Sequence, residues 1–188
     1  LWGVTPITRV TSNEPWLITR TLDRGSMGIV VPHVNNKKAA EKAAQSAKYA
    51  PLGYRGMYGG RQSFGVADYF SQANNQIMVV VLLEEAEALA NLDEILQVDD
   101  IDVFFVAPSD LAQTMGHIGN PGHPDVQRAI GDAISRIATA GRVPGTLVND
   151  DNISEYIGQG VRFVMTSWNA WVAHGAGSFL AKIDASAR

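Results

Sequence analysis

Residues 101–116 read IDVFFVAPSDLAQTMG. Within them VFFVA (103–107) is apolar at every position, too uniform for a strand with one wet face. It stops on Pro108-Ser109-Asp110, a polar turn suited to starting a helix. A strand apolar on both faces belongs in a parallel sheet covered by helices. The same pattern recurs outward in both directions. PITRV (6–10), MGIVVP (27–32), IMVVVLL (77–83), GTLV (145–148) and RFVMT (162–166) are short and rich in branched or aromatic residues. The intervals carry helix punctuation. Asn13 before Glu14-Pro15 predicts a capped start, and Gly25 a stop. Further helices are expected over 37–49, 85–98, 124–140 with Gly141 as stop, 152–159 and from 169 onward. Residues 50–76 are less regular, with a Gly-rich GMYGGR (56–61) and a helix near 68–74. The chain is therefore an α/β protein in which a βα unit repeats six times.

Six units close in one of two ways. An open doubly wound sheet suits the length. The other is a (β/α)₈ TIM barrel, usually about 250 residues long, of which only part would be present. The sequence begins in mid-pattern at Leu1 without a methionine, which favours the incomplete barrel. GMYGGR does not rescue the first option, since it lacks the Lys-Ser/Thr of a phosphate loop and opens no clear helix.

Composition narrows the chemistry. The 188 residues are 46% hydrophobic and 18% charged, the profile of one globular domain with a sizeable core. Fifteen basic against nineteen acidic residues give a net charge of −4, and no basic cluster offsets it, which argues against a nucleic-acid surface. With no cysteine, disulfides and thiolate metal sites are excluded. The apolar runs are too short to cross a membrane.

Ligands of such folds meet the C-terminal ends of the strands. Those ends carry Arg9, His33, Glu84, Asp110, Asn149 with Asp150, and Ser167-Trp168-Asn169. Glu84 and Asp110 follow consecutive strands, so their carboxylates can converge. Two carboxylates without Cys or His suit a hard divalent cation, Mg²⁺ or Mn²⁺, rather than Zn²⁺. Arg9 beside them would serve an oxyanion. Pattern alone leaves each residue open. Asp110 also fits a helix cap, Glu84 an acid in a first helical turn, and Arg9 a plain ion pair. His33 reads as a polar loop residue, and His117 and His123 in GHIGNPGHP as solvated or locally bonded. Asp23, in TLDRG, sits in a last helical turn where its charge opposes the macrodipole. Either Arg24 neutralises it or a functional group does.

Taken together, TRVTSNEPWLITRTLDRGSMGIVVPHV, YAPLGYRG, VLLEEAEALANLDEIL, FFVAPSDLAQTMGHIGNPGHPDV and PGTLV resemble the HpcH/HpaI aldolases, the class II pyruvate aldolases. The likeness covers nearly the whole chain in order. It implies a (β/α)₈ barrel represented here by its strands three to eight, and a homo-oligomer, commonly a hexamer that exchanges its last helix. By this resemblance Glu84 and Asp110 are the metal ligands. The N–H groups of Ser109 and Asp110 hold the substrate carboxylate, Arg9 stabilises negative charge on the substrate oxygen, and Asp23 raises the basicity of an active-site histidine. The expected activity is that of a cytoplasmic, Mg²⁺- or Mn²⁺-dependent lyase that cleaves 4-hydroxy-2-oxo acids to pyruvate and an aldehyde. Oxaloacetate decarboxylation is an expected side activity.

Departures from the family pattern shape the expectation. The family's histidine lies in an Asp-x-Glu-His-Gly stretch after its second strand, upstream of where this sequence starts. Its own His-Gly, at 174–175, falls in the last helix. A usual Gln two positions before Glu84 is Leu82, and a usual Asp after the last strand is Asn169, preceded by Trp168. We therefore expect a metal and pyruvate site without its proton-transfer residue, and open sheet edges that favour association. The alternative is a fragment that binds metal and a 2-oxo acid without turnover.

Overall fold

A computed structural model describes residues 3–58 and 60–186; Gly59, within the Gly-rich loop, lies outside the described residues. Strands β1 (Ile7–Arg9), β2 (Gly28–Val31), β3 (Met78–Leu83), β4 (Val103–Val106), β5 (Pro144–Leu147) and β6 (Phe163–Met165) fall within the six expected runs, give or take a residue at their ends. They form one parallel sheet in strict sequence order, β1-β2-β3-β4-β5-β6. A doubly wound sheet reverses its strand order partway. This one never does, so it curls as an incomplete (β/α)₈ barrel.

The two faces of each strand do different work, as period-two alternation requires. Ile29, Val31, Val79, Val81, Leu83, Phe104 and Val106 point outward into a core shared with the helices. Val80, Leu82, Val103 and Phe105 point inward, with Val30, Leu147 and Phe163 packed beside them. Phe105 meets Phe163 edge to face, with centroids 6.2 Å apart. Both faces are apolar because both are buried.

Helices α1 (Pro15–Asp23), α2 (Lys37–Ala47), α3 (Tyr69–Gln76), α4 (Ala86–Ala90), α5 (Leu92–Ile95), α6 (Pro108–Thr114), α7 (Pro124–Thr139), α8 (Ile153–Gly158) and α9 (Trp168–Ser186) fill the intervals. In α2, Asn36 Oδ1 accepts the Ala39 N–H at 2.9 Å and caps the start. Its buried Ala40, Ala43, Ala44 and Ala47 form a small-residue stripe against the outer core.

Two local expectations need correction. The cap residue of α1 is Glu14, and it makes no side-chain cap bond. Asn13 instead donates to Ala39 O at 2.8 Å, tying α1 to α2. The helix expected over 85–98 is two short pieces, α4 and α5, separated at Asn91, whose amide reaches back to Asn35 O at 2.8 Å.

The sheet ends are uncovered. Ile7, Val164 and Met165 on β1 and β6 are exposed, and α9 is exposed along its described length. Its Trp168, Trp171, Val172, Phe179, Leu180 and Ile183 are each more than half accessible. Among the described residues no helix is long and apolar enough to cross a membrane.

Candidate active site

Parallel winding puts every strand's C-terminal end on one rim. There the inner face opens into a cavity of about 370 Å³ lined by Arg9, Glu84, Ser109 and Asp110 together with apolar Val30, Leu82, Phe105, Leu147 and Phe163. Four of the five residues singled out from the sequence thus share one cavity. Arg9 closes β1, Glu84 follows β3, and Ser109 and Asp110 lie in the first turn of α6 directly after β4.

Pro108 fixes that first turn and removes a donor that helix geometry would leave idle. The N–H groups of Ser109 and Asp110 make no backbone hydrogen bond among the described residues. Asp110, an acid in the first turn of α6, is exposed, and its carboxylate makes no hydrogen bond among the described residues. It is free for a ligand.

Glu84 is 1% exposed, rare for a carboxylate. Burial raises its pKa, and the Asp110 charge adds to the rise. The His33 N–H, the His33 ring and Arg9 oppose it. A buried acid facing a second acid across a cavity calls for positive charge between them. The donor set fits a hard dication: two carboxylates, no sulfur, and a mouth open to water.

His33, expected to be an ordinary loop residue, is bound into this arrangement. Its backbone N–H donates to Glu84 Oε1 at 2.8 Å. Its Nδ1 lies 2.8 Å from Glu85 Oε1 and 3.3 Å from Glu84 Oε1. Asn35 Nδ2 holds the other Glu85 oxygen at 2.7 Å. The available sequence signal was polar residues crowding two adjacent strand ends.

Asp23 is not in the cavity. It ends α1, at the opposite rim of the sheet, and its Oδ1 accepts from Arg55 Nη2 at 2.7 Å. Arg55 is buried and stacks over the Tyr49 ring, with 4.6 Å from Cζ to the centroid. Arg24, the neutralising neighbour considered from the sequence, is not this partner.

A second depression of about 420 Å³ adjoins the cavity, sharing Pro108 and Leu147, and is lined by Asn149, Asp150, Ser167 and Trp171. His117, His123 and Asp125, on the loop from α6 into α7, bring ligand atoms within 4.8 Å of one another. The two imidazoles are stacked, 3.6 Å apart and 14° from parallel. Lone pairs in parallel rings point side by side rather than at one ion. His123 Nδ1 is also engaged, accepting the Asp125 N–H as a helix cap. His174 sits on exposed α9.

Comparison with known proteins gives a family, two relatives and a solved structure. The HpcH/HpaI aldolase/citrate lyase family model matches residues 2–172. The chain is 41% identical over 164 residues to a 4-hydroxy-2-oxo-heptane-1,7-dioate aldolase of Klebsiella pneumoniae, covering 85% of this chain and 62% of that protein. It is 40% identical over 163 residues to a 5-keto-4-deoxy-D-glucarate aldolase of Shigella dysenteriae, covering 85% and 64%. The chain thus spans somewhat less than two thirds of these relatives. A crystal structure of an HpcH/HpaI aldolase/citrate lyase family protein from Burkholderia cenocepacia superposes with a TM-score of 0.87 at 30% identity, over 96% of this chain and 74% of that one.

Proposed function

The chain belongs to the HpcH/HpaI aldolase/citrate lyase family, and on that premise we propose that its cavity serves the divalent-metal-dependent cleavage of 4-hydroxy-2-oxo acids to pyruvate and an aldehyde. The reading places the enzyme in the cytoplasm, as a homo-oligomer of the hexameric kind. The observation that carries the chemistry is the meeting of Glu84, Asp110, Arg9 and Ser109 on one cavity at the strand ends.

Glu84 and Asp110 would hold Mg²⁺ or Mn²⁺. When bound, the cation supplies Lewis-acid polarisation of the 2-oxo group. The idle N–H groups of Ser109 and Asp110 receive the substrate carboxylate. Arg9 directs a fixed positive charge at the oxygen that becomes negative as the C3–C4 bond breaks, and such preorganised charge needs no reorganisation during the step. The apolar inner face, led by Leu82, Phe105 and Phe163, excludes water from beneath the reacting carbons. The adjoining depression at Asn149 and Ser167 is where the aldehyde half extends. Asp23, bound to Arg55 at the other rim, serves the reading only as the resemblance has it, by raising the basicity of the family's upstream histidine.

The test is pyruvate release from 4-hydroxy-2-oxo acids with Mg²⁺ or Mn²⁺, beside direct Mn²⁺ binding. Metal-dependent release that is lost in Glu84→Gln and Asp110→Asn supports the enzyme. Binding of metal and pyruvate without release supports the non-catalytic alternative. Absence of metal binding refutes both. Robust turnover by the 188-residue chain also refutes the expectation that the upstream histidine is essential.

A further inference from the structure

Glu84 presents two unequal oxygens. Oε1 accepts the His33 N–H at 2.8 Å and has His33 Nδ1 at 3.3 Å. Oε1 is therefore the oxygen tied to His33, by one hydrogen bond from the backbone and one longer charge contact from the ring. Oε2 makes no hydrogen bond among the described residues, although Glu84 is almost wholly buried and lines the cavity beside Asp110 and Arg9.

We infer that His33, braced by Glu85 and Asn35, is a positioning residue that turns Glu84 so that Oε2 alone is offered to a divalent cation. The inference rests on the metal-site reading above. Both neighbours of His33 Nδ1 are carboxylates and can only accept, so that nitrogen carries the hydrogen. The shorter distance, 2.8 Å, assigns it to Glu85 Oε1, with Glu84 Oε1 as a longer second contact. Glu85 is itself fixed by Asn35 Nδ2 at 2.7 Å, and the Asn35 carbonyl by Asn91 at 2.8 Å. The chain Asn91–Asn35–Glu85–His33–Glu84 thus links α4, the β2 end and the β3 end.

The backbone is committed to the same purpose. His33 has φ +55°, a left-handed conformation that side chains other than Asn, Asp and His adopt seldom. Its neighbour Val34 donates to Leu82 O at 3.3 Å, which fastens the loop to β3 just before Glu84. Together these bonds deliver both the N–H and Nδ1 of one residue to one side of Glu84. Outer partners of this kind commonly govern metal affinity about 10- to 100-fold without touching the ion.

The experiment measures Mn²⁺ affinity of the full chain by calorimetry for wild type, Glu84→Gln, His33→Met and His33→Asn, with circular dichroism to confirm folding. Expected is tight binding by wild type, loss in Glu84→Gln, and about tenfold weaker binding in His33→Met. His33→Asn tolerates the positive φ and keeps a donor, so it retains wild-type affinity. Equal affinity in His33→Met and wild type overturns the positioning role while leaving the metal site standing. No Mn²⁺ binding by wild type, or unchanged binding in Glu84→Gln, overturns the metal site and the inference with it. In a Mn²⁺-soaked crystal one Glu84 oxygen should reach the ion; two at bonding distance refute the geometry.

Discussion

Gly145 on β5 lies so close beneath Phe105 on β4 that a Cβ on it would stand 2.9 Å from Phe105 Cδ2 and 3.0 Å from Val103 Cγ1. The absent side chain lets the Phe105 ring lie across the inner face and form the floor of the cavity. Gly145→Ala is therefore predicted to push Phe105 toward the cavity. Overpacking of this kind costs about 1–3 kcal/mol. Urea unfolding measures the loss, and a stability equal to wild type refutes the packing argument.

Arg55 and Asp23 give a second prediction. The Arg55 side chain is fully buried, and among the described residues its Nε and Nη1 have no hydrogen-bond partner and Nη2 to Asp23 is its one ion pair. Asp23→Ala leaves a buried guanidinium uncompensated, at a cost of about 3–5 kcal/mol. Adding Arg55→Met to Asp23→Ala should recover part of that loss, because no charge then remains buried. A double variant no more stable than Asp23→Ala alone refutes the account.

Lys48 carries a pH signature. Its Nζ donates to Asn74 O at 2.6 Å and Ile77 O at 2.9 Å, sealing the end of α3. Burial lowers its pKa below the ordinary 10.5, against the raising influence of Asp102 and Asp100. Between the lowered folded value and 10.5 the unfolded chain binds more protons, so stability from this group rises with pH across that window. Wild type should gain stability relative to Lys48→Met as pH climbs toward 10.5. Paired chemical denaturation at several alkaline pH values checks this; a constant or narrowing difference refutes it.

Arg9 supplies the catalytic prediction. It lines the cavity from the end of β1, and its charge bears on Glu84. In oxaloacetate decarboxylation, which builds negative charge on the same oxygen, Arg9→Ala should lower kcat about 100-fold. Pyruvate formation measures the rate. A kcat equal to wild type removes Arg9 from the proposed chemistry.

The parts of this architecture that the sequence disclosed are those set by local pattern. VFFVA and IMVVVLL are apolar on both faces, which identified buried parallel strands, and the charged residues just beyond them marked the rim. Strand order was open, because two windings share the same repeat; the unreversed order of β1 to β6 decided it. The bonds that shape the site join residues far apart in sequence. Glu84 meets His33 across 51 positions, and Arg55 meets Asp23 across 32. No periodicity encodes such pairs. The positive φ of His33 was equally hidden, because histidine, unlike glycine, does not announce it. At Asn13 a good cap residue was drawn instead to the carbonyl of Ala39, so tertiary bonding overrode a local preference.

The last prediction concerns α9. A helix that packs on its own domain shows one apolar stripe and one polar face, but here Trp168, Trp171, Val172, Phe179, Leu180 and Ile183 are all exposed. Surface of that extent and composition is ordinarily covered by another protein surface, which supports the homo-oligomeric reading. Light scattering coupled to size exclusion should give a mass several times the 20.2 kDa of one chain. The double variant Trp171→Glu/Phe179→Glu should shift that mass toward the single chain while leaving the α/β circular dichroism intact, because neither side chain contributes to the buried core. A wild type that is monomeric at micromolar concentration, or a variant of unchanged mass, would remove α9 from the interface.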